Sequence, residues 1–401
     1  MSKNVAFTIC AKNYLAQALT LRQSYKRHNH TDFYIFLSDR SDAENLSDVV
    51  LLDEEWIPDW EVMAFKYNVI EFSTSIKPFC INYLFDKGYE EVMYLDPDIY
   101  VCNGLNVVFR ELVDYSVVLT PHRCFIHSLS DSYIDEQMIS GVGIYNLGFI
   151  LIKNNRIGRD IVEWWKEKLR TQCYNDLSSG LFVDQKWMDF IPGFYPKEVL
   201  ISNHLGMNVA TWNLNERLVS NQDGKWIVKD ISGEMSYDLL FFHFSGFSPS
   251  KPEQLDKRLP QTDLSHFQEL RALVDEYRRS ELDNQYEYYS KLRYSFNYYS
   301  DKTRVDDLHR KLYLNVVKER QTKDSPFDTN GYVYQYFYTR GFLTGNTRIP
   351  LTQLFKRLSG KDKVQKAFIL VLYFFGFTKY KKLLKHLKDY CTVDYMNHLL
   401  K

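Results

Sequence analysis

The chain has 401 residues with 50 Lys and Arg against 51 Asp and Glu, a net charge of −1, so a strongly basic nucleic-acid surface is not expected. That length suffices for one large α/β domain with an appendage or for two domains, and an aromatic content of 16%, with 30 Tyr against 17 Gly, argues against disorder. The six cysteines (Cys10, Cys80, Cys102, Cys124, Cys173, Cys391) form no C-x-x-C pair, no apolar leader opens the sequence, and no stretch reaches the roughly 18 apolar residues of a membrane span; free thiols and a cytoplasmic location are expected.

Residues 5–10 (VAFTIC) read as a buried strand, and Leu15, Ala18, Leu19 and Tyr25 fall at helical spacing in the segment after it. Residues 33–37 form a second apolar strand ending at Ser38-Asp39, and a β-α-β unit of this kind implies a parallel sheet. A helix is predicted over 60–72, another over 77–87 ended by Gly88, then a strand over 91–95. Strands over 115–120 and 148–152 and a helix over 159–170 continue the alternation, so residues 1–250 are expected to form one α/β domain. Pro249 and Pro252 in SPSKPEQ mark its end, because the pattern beyond is helical alone: 264–289, 305–317, the Tyr-rich stretch 332–343 and a terminal pair of helices. Residues 351–401 hold eleven Lys or Arg against three Asp, a surplus of eight that leaves −9 on the rest. There an apolar run at 367–377 precedes KYKKLLKHLK, with Tyr380, Leu383, Leu384 and Leu387 opposite lysines. An interfacial helix on an anionic bilayer and a helix closing the domain's own core fit this composition equally well.

The segment MYLDPDIYV sets Asp96 and Asp98 one residue apart at the end of the strand 91–95. Mg²⁺ and Mn²⁺ prefer oxygen ligands and take one or two carboxylates from protein, leaving other positions to phosphate oxygens. A cation so held stabilises the charge that grows on a departing nucleoside diphosphate. A solvated Asp-Pro turn is the competing reading. The apolar flanks at 92–95 and 99–101 favour two acids on the rim of a cleft.

With this motif the sequence resembles the GT-A glycosyltransferases, and within them the retaining group that contains glycogenin and the bacterial lipopolysaccharide galactosyltransferases. The resemblance rests on motifs scattered through the first 250 residues. It implies an α/β, Rossmann-like GT-A domain that binds a nucleotide-sugar, with a mostly helical region at 251–401. FTICAKNYLAQALTLRQSYKRH looks like the group's opening strand, loop and helix, which would place Ala11 and Tyr14 at the donor, Tyr14 stacking on uracil. Asp39 sits where such folds carry an acid near the base or ribose, although SDRSDAE is also rich in capping residues. Lys77 stands where the family has a basic residue for the diphosphate. SGVGIYNLGFILIK resembles the strand lining the sugar pocket, implying roles for Asn146 and Gly148, and FVDQ resembles the Asp-Gln motif, implying that Asp184 and Gln185 act at the reacting carbon. FFHFSGFSPSKP is similar to a His-x-x-Gly-x-x-Lys signature, which would make His243 a third metal ligand and Gly246 a phosphate turn; its lysine arrives two residues late, at Lys251. Trp212 and Asn213 are candidate sugar or acceptor contacts.

The resemblance thus implies a metal-dependent hexosyltransferase using Mn²⁺ or Mg²⁺ and a nucleotide-sugar, expected to be a UDP-sugar, acting on a saccharide or lipid-linked glycan in bacterial surface polysaccharide synthesis. If the reaction inverts, Asp184 or Asp189 would have to serve as base. Two other readings stay open: a catalytically inactive binding or assembly protein of the same fold, and a metal-dependent phosphoesterase built on Asp96, Asp98 and His243.

Overall fold

A computed structural model describes residues 3–40, 49–126, 136–320, 323–343 and 358–390, with side chains to Leu387 in the last segment. Cys391 and the end of the basic tail lie outside the described residues, as do several positions of the SDRSDAE segment. By packing, the chain divides into two compact units, one formed by Met1–Trp60 and Val69–Tyr294 and the other by Glu61–Asn68 and Ser295–Lys401.

The first unit is built on a seven-stranded sheet. Its strands are β1 (Asn4–Cys10), β2 (Asp32–Leu37), β3 (Val49–Leu51), β4 (Glu91–Leu95), β6 (Val117–Leu119), β7 (Phe149–Lys153) and β8 (Val199–Ile201), while β5 (Ile99–Val101) lies outside it. The order is β3-β2-β1-β4-β7-β6-β8. All neighbours are parallel except β7, which runs antiparallel to both β4 and β6. This is the Rossmann-like α/β architecture that the resemblance implies. β1 is buried on both faces because neighbouring strands and covering helices remove it from water, which is why it reads as a continuous apolar run instead of alternating. Helix α1 (Leu15–His28) turns Leu21 and Tyr25 into a core with Ala6, Met93, Phe149 and Leu151.

Some elements depart from the sequence pattern. The helix predicted over 60–72 is two, Trp60–Lys66 and Val69–Ser75. The predicted helix 264–289 begins as short 3₁₀ turns, and only Arg271–Asp283 is a sustained α-helix. Asp263 accepts a hydrogen bond from the Ser265 amide at 2.9 Å and Phe267 lies at φ −137°, so local side-chain bonding competes with helix propagation there. An antiparallel sheet of Arg217–Gln222, Lys225–Asp230 and Ser236–Asp238 was not anticipated. Its signal was present: Asp223-Gly224 forms the two-residue hairpin turn with both φ positive, at 51° and 86°.

The second unit is helical, with Asp307–Glu319, Tyr332–Thr339 and a final helix Lys363–Tyr390. Phe65 packs there against Tyr299, Tyr313 and Phe327. The last helix is broken at Gly376 (φ 76°, ψ 170°), a conformation open to glycine, which yields the expected pair of terminal helices. Among the described residues no helix is long and apolar enough to cross a membrane.

Candidate metal centre

Asp96 and Asp98 occupy the turn where β4 ends. The Asp96 amide donates to the Gly148 carbonyl at 2.8 Å and the Ile99 amide to the Asp96 carbonyl at 3.0 Å, so the Asp-Pro-Asp turn is fixed by backbone bonds before any side chain acts. β5 then pairs antiparallel with Phe241–His243, setting His243 opposite Ile99, and the Phe244 amide donates to the Asp98 carbonyl at 2.8 Å. This register delivers the imidazole to the two acids: His243 Nε2 lies 3.1 Å from Asp98 Oδ1 and 3.7 Å from Asp96 Oδ2. One ligand atom from each residue falls within 4.8 Å of the others, the only such group of three among the described residues.

One imidazole nitrogen with two carboxylates is a suitable donor set for Mn²⁺, and the two carboxylates alone would suit Mg²⁺; both acids are partly open to solvent while the histidine is buried, so a cation there would keep a side free for other oxygen ligands. The electrostatics agree. Burial pushes the Asp96 carboxyl up despite the opposing Lys77 and His243 charges; burial also acts on Asp98, but His243 overrides it and holds that carboxyl below its ordinary range. The Tyr94 hydroxyl donates to Asp96 Oδ1 at 2.6 Å and orients it. Gly148 is required by close approach: a Cβ there would run into the His243 ring and stand 2.8 Å from Asn146 Oδ1.

Behind the triad, Lys77 at the first position of its helix is almost fully buried. Its ammonium donates to Asp184 Oδ2 at 2.5 Å and the Leu147 carbonyl at 2.8 Å and lies 4.0 Å from the Tyr94 ring centroid. Lys77 is therefore engaged with Asp184, whose carboxyl burial pushes up against the lysine's opposing charge. Gln185 uses both ends of its amide on one loop, accepting from the Leu147 amide at 3.0 Å and donating to the Val142 carbonyl at 3.0 Å. Asn146 Oδ1 accepts from the Gly148 amide at 3.1 Å. Asp189 accepts from the Ile144 amide at 2.9 Å and Lys186 at 2.9 Å.

Tyr14 closes the turn between β1 and α1 and is 41% exposed, with its amide on the carbonyl of buried Ala11 at 2.9 Å. Burial and then the Asp98 charge push its phenol up to about 12. Asp39 is buried beside the Arg40 amide (2.8 Å) and Lys12 (3.9 Å). Gly246 adopts φ +80° as its turn folds back on Asp256, while Lys251 is exposed. The cation that the fold supplies near Asp98 is Arg258, which sequence reasoning missed. Asp256 grips it at 2.6 Å, its Nη2 donates to Ser245 at 2.9 Å, and its charge acts on Asp98 and Tyr14. Nothing in the spacing marks Arg258; the turn at Gly246, where the Lys257 amide returns to the Gly246 carbonyl at 3.1 Å, brings it in. Trp212 packs edge-on to His243 at 5.1 Å, whereas Asn213 is fully buried and bonds the Ala210 amide and the Asn208 carbonyl.

No family model matches the chain. The uncharacterized protein YfnF of Bacillus subtilis is 27% identical over 253 residues, 60% of this chain and 80% of that protein, and YfnD of the same organism is 24% identical over 257 residues, 60% and 77%. Among solved structures, the galactosyltransferase LgtC in complex with donor and acceptor sugar analogues aligns over 69% of this chain and 99% of its own at 17% identity, with a TM-score of 0.40. That superposition is loose, and the functional reading rests on the geometry of the chain itself.

Proposed function

We propose that this protein is a metal-dependent glycosyltransferase that moves a hexose from a nucleotide-sugar, most simply a UDP-sugar, to a hydroxyl of a saccharide or lipid-linked glycan. The observation that carries the reading is the convergence of Asp96, Asp98 and His243 at the end of β4, with Tyr14 and Arg258 in electrostatic reach of Asp98 and the buried Lys77–Asp184 pair behind. A bound Mn²⁺ or Mg²⁺ would neutralise charge on the leaving diphosphate. Arg258 presents a half-open guanidinium suited to phosphate oxygens, and Tyr14 offers an aromatic face to the base. In the reaction the bond from the anomeric carbon to the diphosphate oxygen breaks, its electron pair leaves with the nucleoside diphosphate, and the acceptor oxygen bonds that carbon and releases its proton to water. Asp184 is assigned to the positive charge developing on the sugar. Retention of configuration follows from the family resemblance and is proposed with it, as is a role in surface polysaccharide synthesis on the inner face of the plasma membrane.

The test is a thermal-shift screen of UDP-, GDP-, CMP- and dTDP-sugars with and without Mn²⁺. One donor is expected to raise Tm in the presence of the metal, since a ligand at about 100 times its Kd adds about 2.7 kcal/mol. Asp98→Asn should remove the metal-dependent part of the shift and lower transfer at least about 100-fold while the ligand-free Tm holds. Stabilisation by no nucleotide-sugar, or an Asp98→Asn variant with full Mn²⁺-dependent activity, would overturn the assignment.

A further inference from the structure

A chain of buried side chains runs behind the metal triad, and its hydrogen-bond polarity is set by backbone groups at both ends. The Gly148 amide can only donate, and it donates to Asn146 Oδ1 at 3.1 Å, so the orientation of that amide is determined. The same oxygen accepts from Asn208 Nδ2 at 3.0 Å, and Nδ2 also donates to Thr120 Oγ1 at 3.0 Å. The Asn208 amide is thereby oriented in turn, with Oδ1 facing His243 Nδ1 at 3.1 Å. At the far end the Ile144 carbonyl can only accept, and it meets His122 Nδ1 at 3.1 Å. The other nitrogen of His122 therefore accepts from Asn146 Nδ2 at 3.2 Å, in agreement with the Asn146 orientation found from the Gly148 side. Two independent backbone anchors give one consistent direction of donation.

We propose that Asn208 is the positioning residue that accepts the Nδ1–H of His243 and thereby turns Nε2 toward Asp96 and Asp98. This deepens the metal reading above and rests on it for its purpose; in the metal-free protein Asp98 Oδ1, 3.1 Å from Nε2, competes for a ring proton, so the hydrogen bond at Nδ1 is the property that Asn208 sets. An imidazole whose other nitrogen donates to a fixed acceptor has its ring orientation and its metal-binding nitrogen chosen for it. Asn208 is itself held to that task. It is 1% exposed, adopts φ 51° in the left-handed region that asparagine tolerates, and its carbonyl accepts from Asn213 Nδ2 at 3.0 Å. Because Asn146 belongs to the loop that Gln185 and Lys77 also hold, through Leu147, the sugar-pocket strand and the metal ligand share one hydrogen-bonded frame.

The experiment reads the Nδ1–H···Oδ1 hydrogen bond directly by NMR of metal-free protein carrying isotope-labelled histidine, in mildly acidic solution where both ring nitrogens carry a proton. It then measures Mn²⁺ affinity by electron paramagnetic resonance. The wild type is expected to show a downfield, exchange-protected Nδ1 proton on His243. Asn208→Gly, which suits the positive φ and deletes the amide, should lose that signal and weaken Mn²⁺ binding about 10- to 100-fold. Asn208→Asp retains an acceptor toward Nδ1 and should keep the signal and most of the affinity. A wild-type Nδ1 proton that exchanges freely, or a protected one in Asn208→Gly, overturns the proposal even if Mn²⁺ binds. A protected Nδ1 proton that is lost in Asn208→Gly, with no Mn²⁺ bound by the wild type, would support the role of Asn208 and reject the metal reading instead.

Discussion

The buried pair of Lys77 and Asp184 ties a requirement of the fold to the carboxylate proposed to act on the sugar. Both side chains are almost completely buried and meet at 2.5 Å, so deleting one leaves the other charged and unpaired in a low-dielectric interior. Asp184→Ala is therefore expected to cost roughly 3–5 kcal/mol in denaturant unfolding, and the Lys77→Met/Asp184→Leu double variant to recover most of that loss. Asp184→Asn, which loses the charge but keeps the shape and an acceptor oxygen for the Lys77 ammonium, should cost less stability than Asp184→Ala and lower kcat with little change in nucleotide affinity, a split measured by steady-state kinetics beside calorimetry. Glu281 supplies a pH signature. Its carboxyl is 1% exposed and pushed up to about 8 by burial, with the Tyr277 hydroxyl opposing. An unfolded glutamate titrates near 4.5, so folding favours the protonated form. Its stabilising contribution is complete below about pH 4.5 and fades as pH rises toward about 8, at up to about 1.4 kcal/mol per pH unit. Urea midpoints of the wild type should fall across that window, and Glu281→Gln should flatten the decline.

Among the elements, the segment Glu61–Asn68 is the clearest case of a piece of chain assigned by one side chain. Arg310 is 3% exposed and pairs chiefly with carbonyls: Nη1 donates to Ala64, Phe65 and Tyr67 at 3.0, 2.7 and 2.5 Å, and Nη2 to Phe296 at 2.8 Å and Asn297 Oδ1 at 3.0 Å. The guanidinium acts as a C-terminal cap for the helix Trp60–Lys66, favoured by the negative end of its dipole. Arg310→Met is expected to destabilise the protein by about 3 kcal/mol or more, because several carbonyls lose a charged donor at once. Hydrogen exchange should quicken first in residues 61–68 and in 296–297. Uniform exchange across the chain would show that the arginine merely fills space.

For the molecule as a whole, the basic tail raises the question of a surface. In the last helix Phe374, Phe375 and Val364 are exposed at 69%, 58% and 65%, and Lys379 lies over the Phe375 ring. Not every lysine is available: Lys381 pairs with Asp306, which also caps the helix Asp307–Glu319. Membrane contact is accordingly proposed through Phe374, Phe375, Lys379, Lys382 and Lys385, each basic residue adding about 1 kcal/mol near an anionic surface. The full chain should float with anionic vesicles and much less with neutral ones. Replacing Lys379, Lys382 and Lys385 by Gln should abolish flotation with Tm unchanged. Equal partition to both vesicle types would assign these side chains to the protein's own surface chemistry.

The α/β architecture and the paired acids at the end of β4 were legible in the sequence because both are local. Apolar runs such as VAFTIC and VMYL declare buried strands by composition, and Asp96 and Asp98 lie one residue apart at the end of one of them. His243 could be named from a motif, but its distance from the acids depends on the pairing of β5 with Phe241–His243, a register that no single segment encodes. Arg258 and Asn208 were not legible at all. Arg258 arrives through a turn at Gly246, and Asn208 gains its role from partners on three separated stretches of chain, Thr120, Asn146 and His243. Periodicity reports which side of an element faces the core. It carries no information on which polar atoms meet there, and that is decided only when backbone register and burial leave each donor and acceptor a single partner.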